Sequence, residues 1–157
     1  MKYYTIRKAK NNEWEDAMSL AWRTFEKFEA PIYSKRGKDS FLEFISSNEL
    51  YRMFLDDNYK LFLAFDENTI VGLISLRART HISLLFVKEE YHRNGVGRDL
   101  INYAAMFIRE EYREKYMTVN AAPPAVGFYH KIGFEDIGPK SVNDGITYFP
   151  MKYVFEG

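Results

Sequence analysis

The chain contains the stretch His81-Ile-Ser-Leu-Leu-Phe-Val-Lys-Glu-Glu-Tyr-His-Arg-Asn-Gly-Val-Gly-Arg-Asp-Leu100, in which an apolar run leads into a basic turn with glycines. The apolar run is rich in β-branched and aromatic residues, as is typical of a buried strand. From Val96 to Ile108, apolar residues recur at helical spacing, which predicts a helix that begins close to Gly95. The stretch therefore predicts a strand that turns directly into a helix.

The turn between this strand and this helix is a candidate anion site. The first N–H groups of a helix have no intrahelical acceptor, and the helix dipole places partial positive charge beside them. Arg93 and Arg98 add full positive charges, so the turn favours a phosphate. A plain strand–helix connection explains the glycines equally well. The spacing of the glycines does not fit a P-loop. It does not fit a dinucleotide-binding fold either, because the third glycine of that motif would stand near position 100, where this chain has Leu100.

Two segments resemble the GNAT acetyltransferase superfamily. The first, His92–Gly97, is similar to the family's Gln/Arg-x-x-Gly-x-Gly/Ala signature, with His92 in place of Gln or Arg. The second, Val119–Phe134, resembles the family's fifth strand, its following helix and the ending Phe-Tyr-x-x-x-Gly-Phe. The resemblance covers roughly residues 60 to 138 well and the N-terminal third loosely. Two motifs in order and in register are more specific than either one.

The composition limits the class of protein. With 157 residues, 46% hydrophobic and 17% aromatic, the chain is expected to form one ordinary domain, residues 1–157, and the resemblance implies that this domain is GNAT-like. Lys+Arg and Asp+Glu both number 22, and this balance argues against nucleic acid or an anionic membrane as a partner. The sequence has no cysteine, no signal-peptide pattern and no apolar run near the ~20 residues of a membrane span. A cytoplasmic protein is expected.

The N-terminal third is predicted to hold one strand and two helices. The segment from Tyr3 to Lys8 alternates as a strand, and Asn12 with Glu15 resembles a capping box before a helix. Pro31 interrupts that helix, because the residue before a proline is biased away from the α region. A second short helix is predicted to begin between Gly37 and Ser40. The apolar stripes of the two helices are Trp14, Ala17, Met18, Ala21, Phe25 and Phe28, then Phe41, Phe44 and Ile45.

The remaining elements flank the central strand and helix. Two strands, Leu61–Phe65 and Ile70–Leu76, are predicted to form an antiparallel hairpin. A fifth strand is predicted from Tyr116 to Asn120. Pro123-Pro124 then opens a helix that Gly133 ends in a left-handed conformation.

The last strand is predicted from Ile146 to Val154, where Pro150 indicates a sheet edge or a bulge. This order of elements matches the GNAT layout, and the resemblance therefore implies an α/β (α+β) fold. The expected sheet is mixed, twisted and mostly antiparallel, with about seven strands and about four flanking helices. It is expected to splay between strands 4 and 5, where the family's cofactor lies.

The resemblance implies acetyl-CoA as the cofactor. The turn would hold the pyrophosphate, and the edge of the core strand, freed at a bulge, would pair with pantetheine. A backbone N–H near Leu85 or Phe86 would donate to the thioester oxygen as it gains charge. Asn120 would hydrogen-bond pantetheine or, equally well, start the turn before Pro123. The implied cofactor-binding residues are Leu85, Phe86, Val87, His92, Arg93, Asn94, Gly95, Val96, Gly97, Arg98 and Asn120.

Tyr129 and His81 are the candidate catalytic residues. Tyr129 aligns with the tyrosine that serves as general acid in many GNAT enzymes; a packed aromatic is the structural alternative. His81 enters the core strand where some GNAT enzymes carry a catalytic glutamate; a solvated histidine is its alternative. In a regular strand, His81 would share a face with Ser83, Leu85 and Val87.

An acceptor pocket for a cationic amine is predicted beside the first helix. Its candidate lining residues are Phe25, Phe28, Glu29 and Tyr33, with Glu26 beside them. A solvated helix face explains the two glutamates as well. No metal is expected, because the three histidines lack metal-ligand spacing.

The resemblance implies transfer of an acetyl group from acetyl-CoA to a primary amine by direct attack in a ternary complex. A non-catalytic acyl-CoA-binding or regulatory module of the same fold is the alternative, and an interaction domain without a ligand is a third class. The expected partners are acetyl-CoA and an amine acceptor, either a small molecule or a peptide, with a homodimer left open. The sequence does not identify the acceptor.

Overall fold

The computed structural model describes residues 4–155, so Tyr3 of the predicted first strand lies outside the described residues. Within this range the sheet has eight strands and is flanked by helices. The strands are β1 (Thr5–Lys8), β2 (Lys60–Asp66), β3 (Thr69–Arg77), β4 (His81–Val87), β5 (Tyr116–Ala121), β6 (Glu135–Asp136), β7 (Ser141–Asn143) and β8 (Ile146–Val154). The α-helices are α1 (Trp14–Phe28), α2 (Lys35–Ile45), α3 (Asn48–Leu55), α4 (Val96–Phe107) and α5 (Val126–Ile132).

The sheet is mixed, as the sequence predicts. Its strand order is β1-β2-β3-β4-β5-β8-β6, with β7 also paired to β8. Among residues 4–155, β4 and β5 run parallel and every other strand pair is antiparallel. The predicted β2–β3 hairpin is confirmed, and so is the helix that starts beside Gly95.

Two hydrophobic cores cover the two faces of the sheet. One lies under α1, α2 and α3 and includes Trp14, Phe25, Phe54 and Tyr59. The other lies under α4 and α5, where Leu100 and its neighbours pack. The sheet is therefore a middle layer between two sets of helices. None of the helices in the described part of the chain is long and apolar enough to cross a bilayer.

The start of α1 differs from the prediction. The predicted capping box of Asn12 and Glu15 is wrong, because a turn of 3₁₀ helix precedes α1. The Glu13 carboxylate accepts a hydrogen bond from the Lys10 N–H at 2.7 Å. Arg7 of β1 donates two more to Glu13, at 2.8 and 2.9 Å, and these bonds lower the pKa of Glu13 to about 2.

The start of α2 also differs. The helix begins at Lys35 rather than between Gly37 and Ser40, and Ser34 accepts a hydrogen bond from the Gly37 N–H at 3.4 Å. Gly37 therefore lies inside the first turn. It is needed there for packing, because a Cβ on Gly37 would lie 2.5 Å from the carbonyl oxygen of Gly145 in the β7–β8 hairpin. The following helix, α3, was not predicted.

Pro150 lies inside the sheet, so the predicted edge or bulge is wrong. Its strand, β8, pairs with β5 in unbroken register on one side and with β6 and β7 on the other. The Pro150 carbonyl accepts from the Ile137 N–H at 3.0 Å. In a regular strand the N and O of one residue face the same side, so the missing N–H faces the gap between β6 and β7.

Candidate active site

Strands β4 and β5 separate soon after they meet. They pair through His81 with Thr118 and through Ile82 with Val119, and within residues 4–155 no later residue of β4 pairs with β5. The side of β4 that faces β5 is therefore an open edge from Ser83 onward, with backbone groups that can pair with an extended ligand. This is the predicted splay.

The separation starts at a β-bulge. The register between β3 and β4 shifts after Ser75, which leaves Ser83 as the extra residue. The Tyr59 hydroxyl donates to Ser83 Oγ at 2.9 Å and shares a hydrogen bond with Ser75 Oγ at 2.6 Å. Tyr59 is 1% exposed and Ser75 is fully buried, so the Tyr59–Ser75 hydrogen bond is shielded from water. The two hydrogen bonds of Tyr59 fix the bulge at Ser83.

The bulge changes the faces of β4. Ser83 meets Tyr59 on the α1–α3 side, whereas Leu85 and Val87 pack with the core on the α4 side. The predicted common face of His81, Ser83, Leu85 and Val87 is therefore wrong, because an extra residue reverses the alternation of a strand.

The turn before α4 presents unpaired N–H groups and cations together. Arg93 and Gly95 have left-handed φ angles of 67° and 82°, which reverse the chain. The first hydrogen bond of the helix runs from Asp99 N to Gly95 O at 2.9 Å, so the N–H groups of Val96–Arg98 precede it. The side chains of Arg93, Asn94 and Arg98 are exposed. The geometry suits an anion that approaches from solvent.

His92 has a different set of contacts from the other residues of the turn. Its Nε2–H donates to the Val87 carbonyl at 2.7 Å, and its ring centroid lies 5.0 Å from that of Phe28. Phe28 therefore packs against the turn and is not among the described residues that line the cavity below.

A cavity of about 310 Å³ lies where β4 and β5 separate. The C-terminal end of α1, one face of α2 and the β7–β8 hairpin complete its walls. The hairpin is tied to α2, because Arg36 pairs with Asp144 at 2.9 Å and Ser40 Oγ donates to the Asp144 carbonyl at 2.8 Å. The cavity brings together the predicted residues Phe25, Glu29, Tyr33, His81, Leu85, Phe86, Asn120 and Tyr129.

Glu29 places an unpaired carboxylate in the lining of this cavity. Among the described residues it has no side-chain hydrogen bond or ion pair, and burial raises its pKa to about 7. After burial itself, Glu29 is the second cause that raises the pKa values of Tyr33 and Tyr129. The carboxylate therefore acts electrostatically on both tyrosines. A group with such a pKa can both accept and release a proton near neutrality.

Tyr129 is buried on α5 and is one of the residues that line the cavity. The ring is fixed by edge contacts with Phe128 and Phe134, at centroid distances of 5.3 and 5.1 Å. Its hydroxyl makes no hydrogen bond to any residue in the described range 4–155. Burial and then Glu29 raise its pKa, so Tyr129 stays protonated and is a hydrogen-bond donor at neutral pH.

His81 is held in its neutral form. Its Nδ1 lies 2.8 Å from Thr118 Oγ1, and burial, then the charge of Arg77, lower the pKa of His81 to about 4. A base this weak takes a proton from an ammonium group poorly. Of the two cavity residues, Glu29 is better suited to accept a proton.

Sequence reasoning missed several lining residues. The sequence predicts Phe41 and Phe44 only as part of the apolar stripe of α2. The structure shows that both also line the cavity, as do Arg77 of β3 and Tyr148 of β8. The i,i+3 spacing of Phe41 and Phe44 indicates that they share a face of α2. The spacing cannot show that this face meets the β7–β8 hairpin, which lies far along the chain. Within residues 4–155, no cluster of three or more His, Cys, Asp or Glu could hold a metal ion.

A mixed sheet that splays between two parallel strands, with a glycine turn and a helix after the first of them, is the architecture of an acetyltransferase. Residues 29–155 match the family model described as Acetyltransferase (GNAT) domain. The chain belongs to this family, as the two sequence motifs predict. No curated protein sequence matches the chain.

Solved structures show the same fold. A GCN5-related N-acetyltransferase from Rhodopseudomonas palustris has a TM-score of 0.84 at 19% identity, covering 99% of this chain and 98% of the other. The PaiA N-acetyltransferase from Thermoplasma acidophilum, solved with coenzyme A, has a TM-score of 0.78 at 21% identity, covering 98% and 99%. A dodecameric spermidine N-acetyltransferase from Vibrio cholerae has a TM-score of 0.65 at 20% identity, covering 96% and 93%.

Proposed function

We propose that this protein transfers the acetyl group of acetyl-CoA to a primary amine by direct attack in a ternary complex. The observation that carries the proposal is that Glu29, Tyr129 and the open edge of β4 border a single cavity. The Thermoplasma structure with coenzyme A supports the donor, and the spermidine N-acetyltransferase supports an amine as acceptor.

Acetyl-CoA would bind along β4 and the turn before α4. The pyrophosphate would accept hydrogen bonds from the N–H groups of Val96–Arg98, with Arg93 and Arg98 as counterions. Pantetheine amides would pair with the open edge at Leu85–Val87 and with Asn120. The Val87 carbonyl already accepts from His92, so we assign His92 to shaping the turn as well as to the phosphate site.

Glu29, rather than His81, would remove the proton from the acceptor amine. A primary amine with pKa about 10.4 arrives as an ammonium ion and must lose one proton before it attacks. The pKa of Glu29, about 7, leaves the carboxylate ionised above neutrality, whereas that of His81 is about 4. The closer match in pKa makes Glu29 the stronger base.

The bonds then change in one sequence. The amine nitrogen attacks the thioester carbon, the C–N bond forms, and the oxygen gains charge opposite a backbone N–H near Leu85 or Phe86. The C–S bond breaks while the Tyr129 hydroxyl gives its proton to the departing sulfur, and the Tyr129 oxygen takes the second proton of the nitrogen in its place. The first proton leaves through Glu29 to solvent, so one proton is released per turnover.

The test is an acetyl-CoA turnover assay with small amines and peptides, in which thiol release and acetylated product are measured together. Product that depends on both the amine and Tyr129 supports the proposal. Binding of CoA with no product for any amine would favour the non-catalytic acyl-CoA-binding module instead. A cytoplasmic location and a homodimer stay predictions from the sequence.

A further inference from the structure

We propose that the acceptor is a primary amine with a single positive charge and an apolar, preferably aromatic, tail. The proposal rests on the proposed function and narrows its acceptor. It is carried by the charges and the rings that line the cavity.

The charge balance of the cavity suits one ammonium group. Two of the described lining residues are acidic, Glu29 and Asp144, and Asp144 is already paired with Arg36 at 2.9 Å. Glu29 has no ion pair within the described residues, so its carboxylate is the free partner for an ammonium. Arg77 also lines the cavity, and it makes no ion pair with any residue from 4 to 155. A second ammonium would find no free carboxylate and would be repelled by Arg77.

The rest of the cavity suits an apolar tail. Phe25 and Phe41 stack with ring centroids 4.0 Å apart and an interplanar angle of 7°, and both line it. Tyr33, Phe44 and Tyr148 add further rings. A cavity of about 150 Å³ is enough to hold benzene. The volume here, about 310 Å³, leaves room for a ring or a branched chain together with the reacting atoms.

The position of Glu29 joins these two parts. Its charge acts on Tyr129, at the sulfur end of the proposed reaction, and on Tyr33, whose hydroxyl donates to the Thr147 carbonyl of the hairpin at 3.3 Å. An ammonium group on Glu29 thus stands between the reacting thioester and the ring-lined part. The nitrogen then faces the acetyl group while the tail extends among the rings.

The first test compares amines that differ by one charge. Pentylamine and 1,5-diaminopentane have the same chain length, and 2-phenylethylamine and spermidine extend the comparison to an aromatic tail and a polyamine. We expect kcat/KM for pentylamine and 2-phenylethylamine to exceed that for either polycation by at least tenfold. Equal or greater kcat/KM for 1,5-diaminopentane or spermidine would overturn the inference and leave the proposed function intact.

The second test adds a carboxylate to the ring-lined part. Phe44→Glu places an acid in the cavity, and Leu42→Glu places one on the same helix at a residue that is 42% exposed and outside the lining. Phe44→Glu should lower kcat/KM for 2-phenylethylamine at least tenfold. It should also reduce the preference for 2-phenylethylamine over 1,5-diaminopentane, whereas Leu42→Glu should change neither value. Thermal denaturation and CoA titration check that both variants fold.

The remaining outcomes are also decisive. If the two variants behave alike, the α2 face does not receive the tail and the inference fails. If only peptide N-termini or lysine side chains are acetylated, the acceptor class is wrong while acetyl transfer stands. If CoA binds and no amine in the panel is acetylated, the proposed function itself fails.

Discussion

Tyr59 donates a hydrogen bond to Ser83 across 2.9 Å, and Ser83 is the bulged residue at which β4 leaves β5. The tyrosine reaches this point from the loop before β2, on the side of the sheet that α1–α3 cover. An unpaired buried hydroxyl costs free energy, so Tyr59 and Ser75 hold each other in place, and Tyr59 also holds Ser83. The open edge of β4 therefore depends on a residue outside the cavity.

Tyr59→Phe removes the hydroxyl and leaves the ring. We expect a loss of stability of about 1–2 kcal/mol, because the two serines lose a buried partner. We also expect a severalfold higher KM for acetyl-CoA, since the β4 edge is less well fixed. Tyr51→Phe, on α3 at 38% exposure, is the control and should change neither value. An unchanged KM for Tyr59→Phe would mean that the bulge holds its geometry without the hydroxyl.

Tyr129→Phe tests the proposed donor to the leaving thiolate. Because the hydroxyl has no hydrogen-bond partner among residues 4–155, its removal should leave stability and CoA affinity close to wild type. Loss of a general acid reduces kcat by about 10²–10⁴-fold, and by less where water substitutes. Steady-state kinetics and CoA titration measure the two effects separately. A wild-type kcat would exclude Tyr129 from the proton transfer.

Glu29→Gln tests the proposed base. The wild-type kcat/KM should rise with pH through an apparent pKa near 7, the value that burial gives Glu29. In the variant, kcat/KM should not rise with pH near 7. Its activity should recover only as the pH approaches the pKa of the free amine. Glu26→Gln on the exposed face of α1 is the matched control and should keep the wild-type profile.

His81→Ala belongs in the same pH series. A histidine with a pKa of about 4 is neutral throughout the working range, so we expect the profile of this variant to run parallel to wild type. If His81→Ala loses the rise of kcat/KM near pH 7 while Glu29→Gln retains it, the two roles are reversed and His81 is the base.

Glu29 also makes stability depend on pH. Its pKa in the folded protein, about 7, lies above the unfolded value, 4.5, so folding favours the protonated acid. The stabilising effect is complete below pH 4.5 and is lost as pH rises to 7. Glu29→Gln should therefore raise the free energy of unfolding at pH 8 by roughly 1–2 kcal/mol after allowance for partial exposure, with a higher Tm, and should have little effect near pH 4. Calorimetry at both pH values measures the two shifts, and a Tm shift of the same size at pH 4 and pH 8 would contradict this linkage.

Arg98→Glu tests the turn. Charge reversal at the start of α4 should weaken CoA binding at least tenfold, or about 1.4 kcal/mol, and the loss should shrink at high salt. Arg52→Glu, on α3 at another exposed position, is the control. A substitution at Gly97 is a poorer test, because a Cβ there would lie 3.0 Å from Phe128 Cζ and would disturb packing. Calorimetric titration with CoA that shows equal affinity for Arg98→Glu and wild type would remove this residue from the phosphate site.

Local pattern alone was enough to predict the strand, turn and helix from His81 to Ile108. Apolar periodicity selects the strand and the helix, and Gly95 permits the positive φ that the turn needs. The β2–β3 hairpin and the Gly133 helix end are confirmed for the same reason, since each depends on residues adjacent in sequence. Tyr129 and Glu29 were also named as candidates from the sequence.

Only the tertiary structure decided what these candidates face. The bulge at Ser83 depends on Tyr59, and the helical position of Gly37 depends on Gly145, because register and close packing are set by elements far apart in the chain. The raised pKa of Glu29 has the same origin. Desolvation is a property of everything that surrounds a carboxylate, so no spacing along the sequence can reveal it.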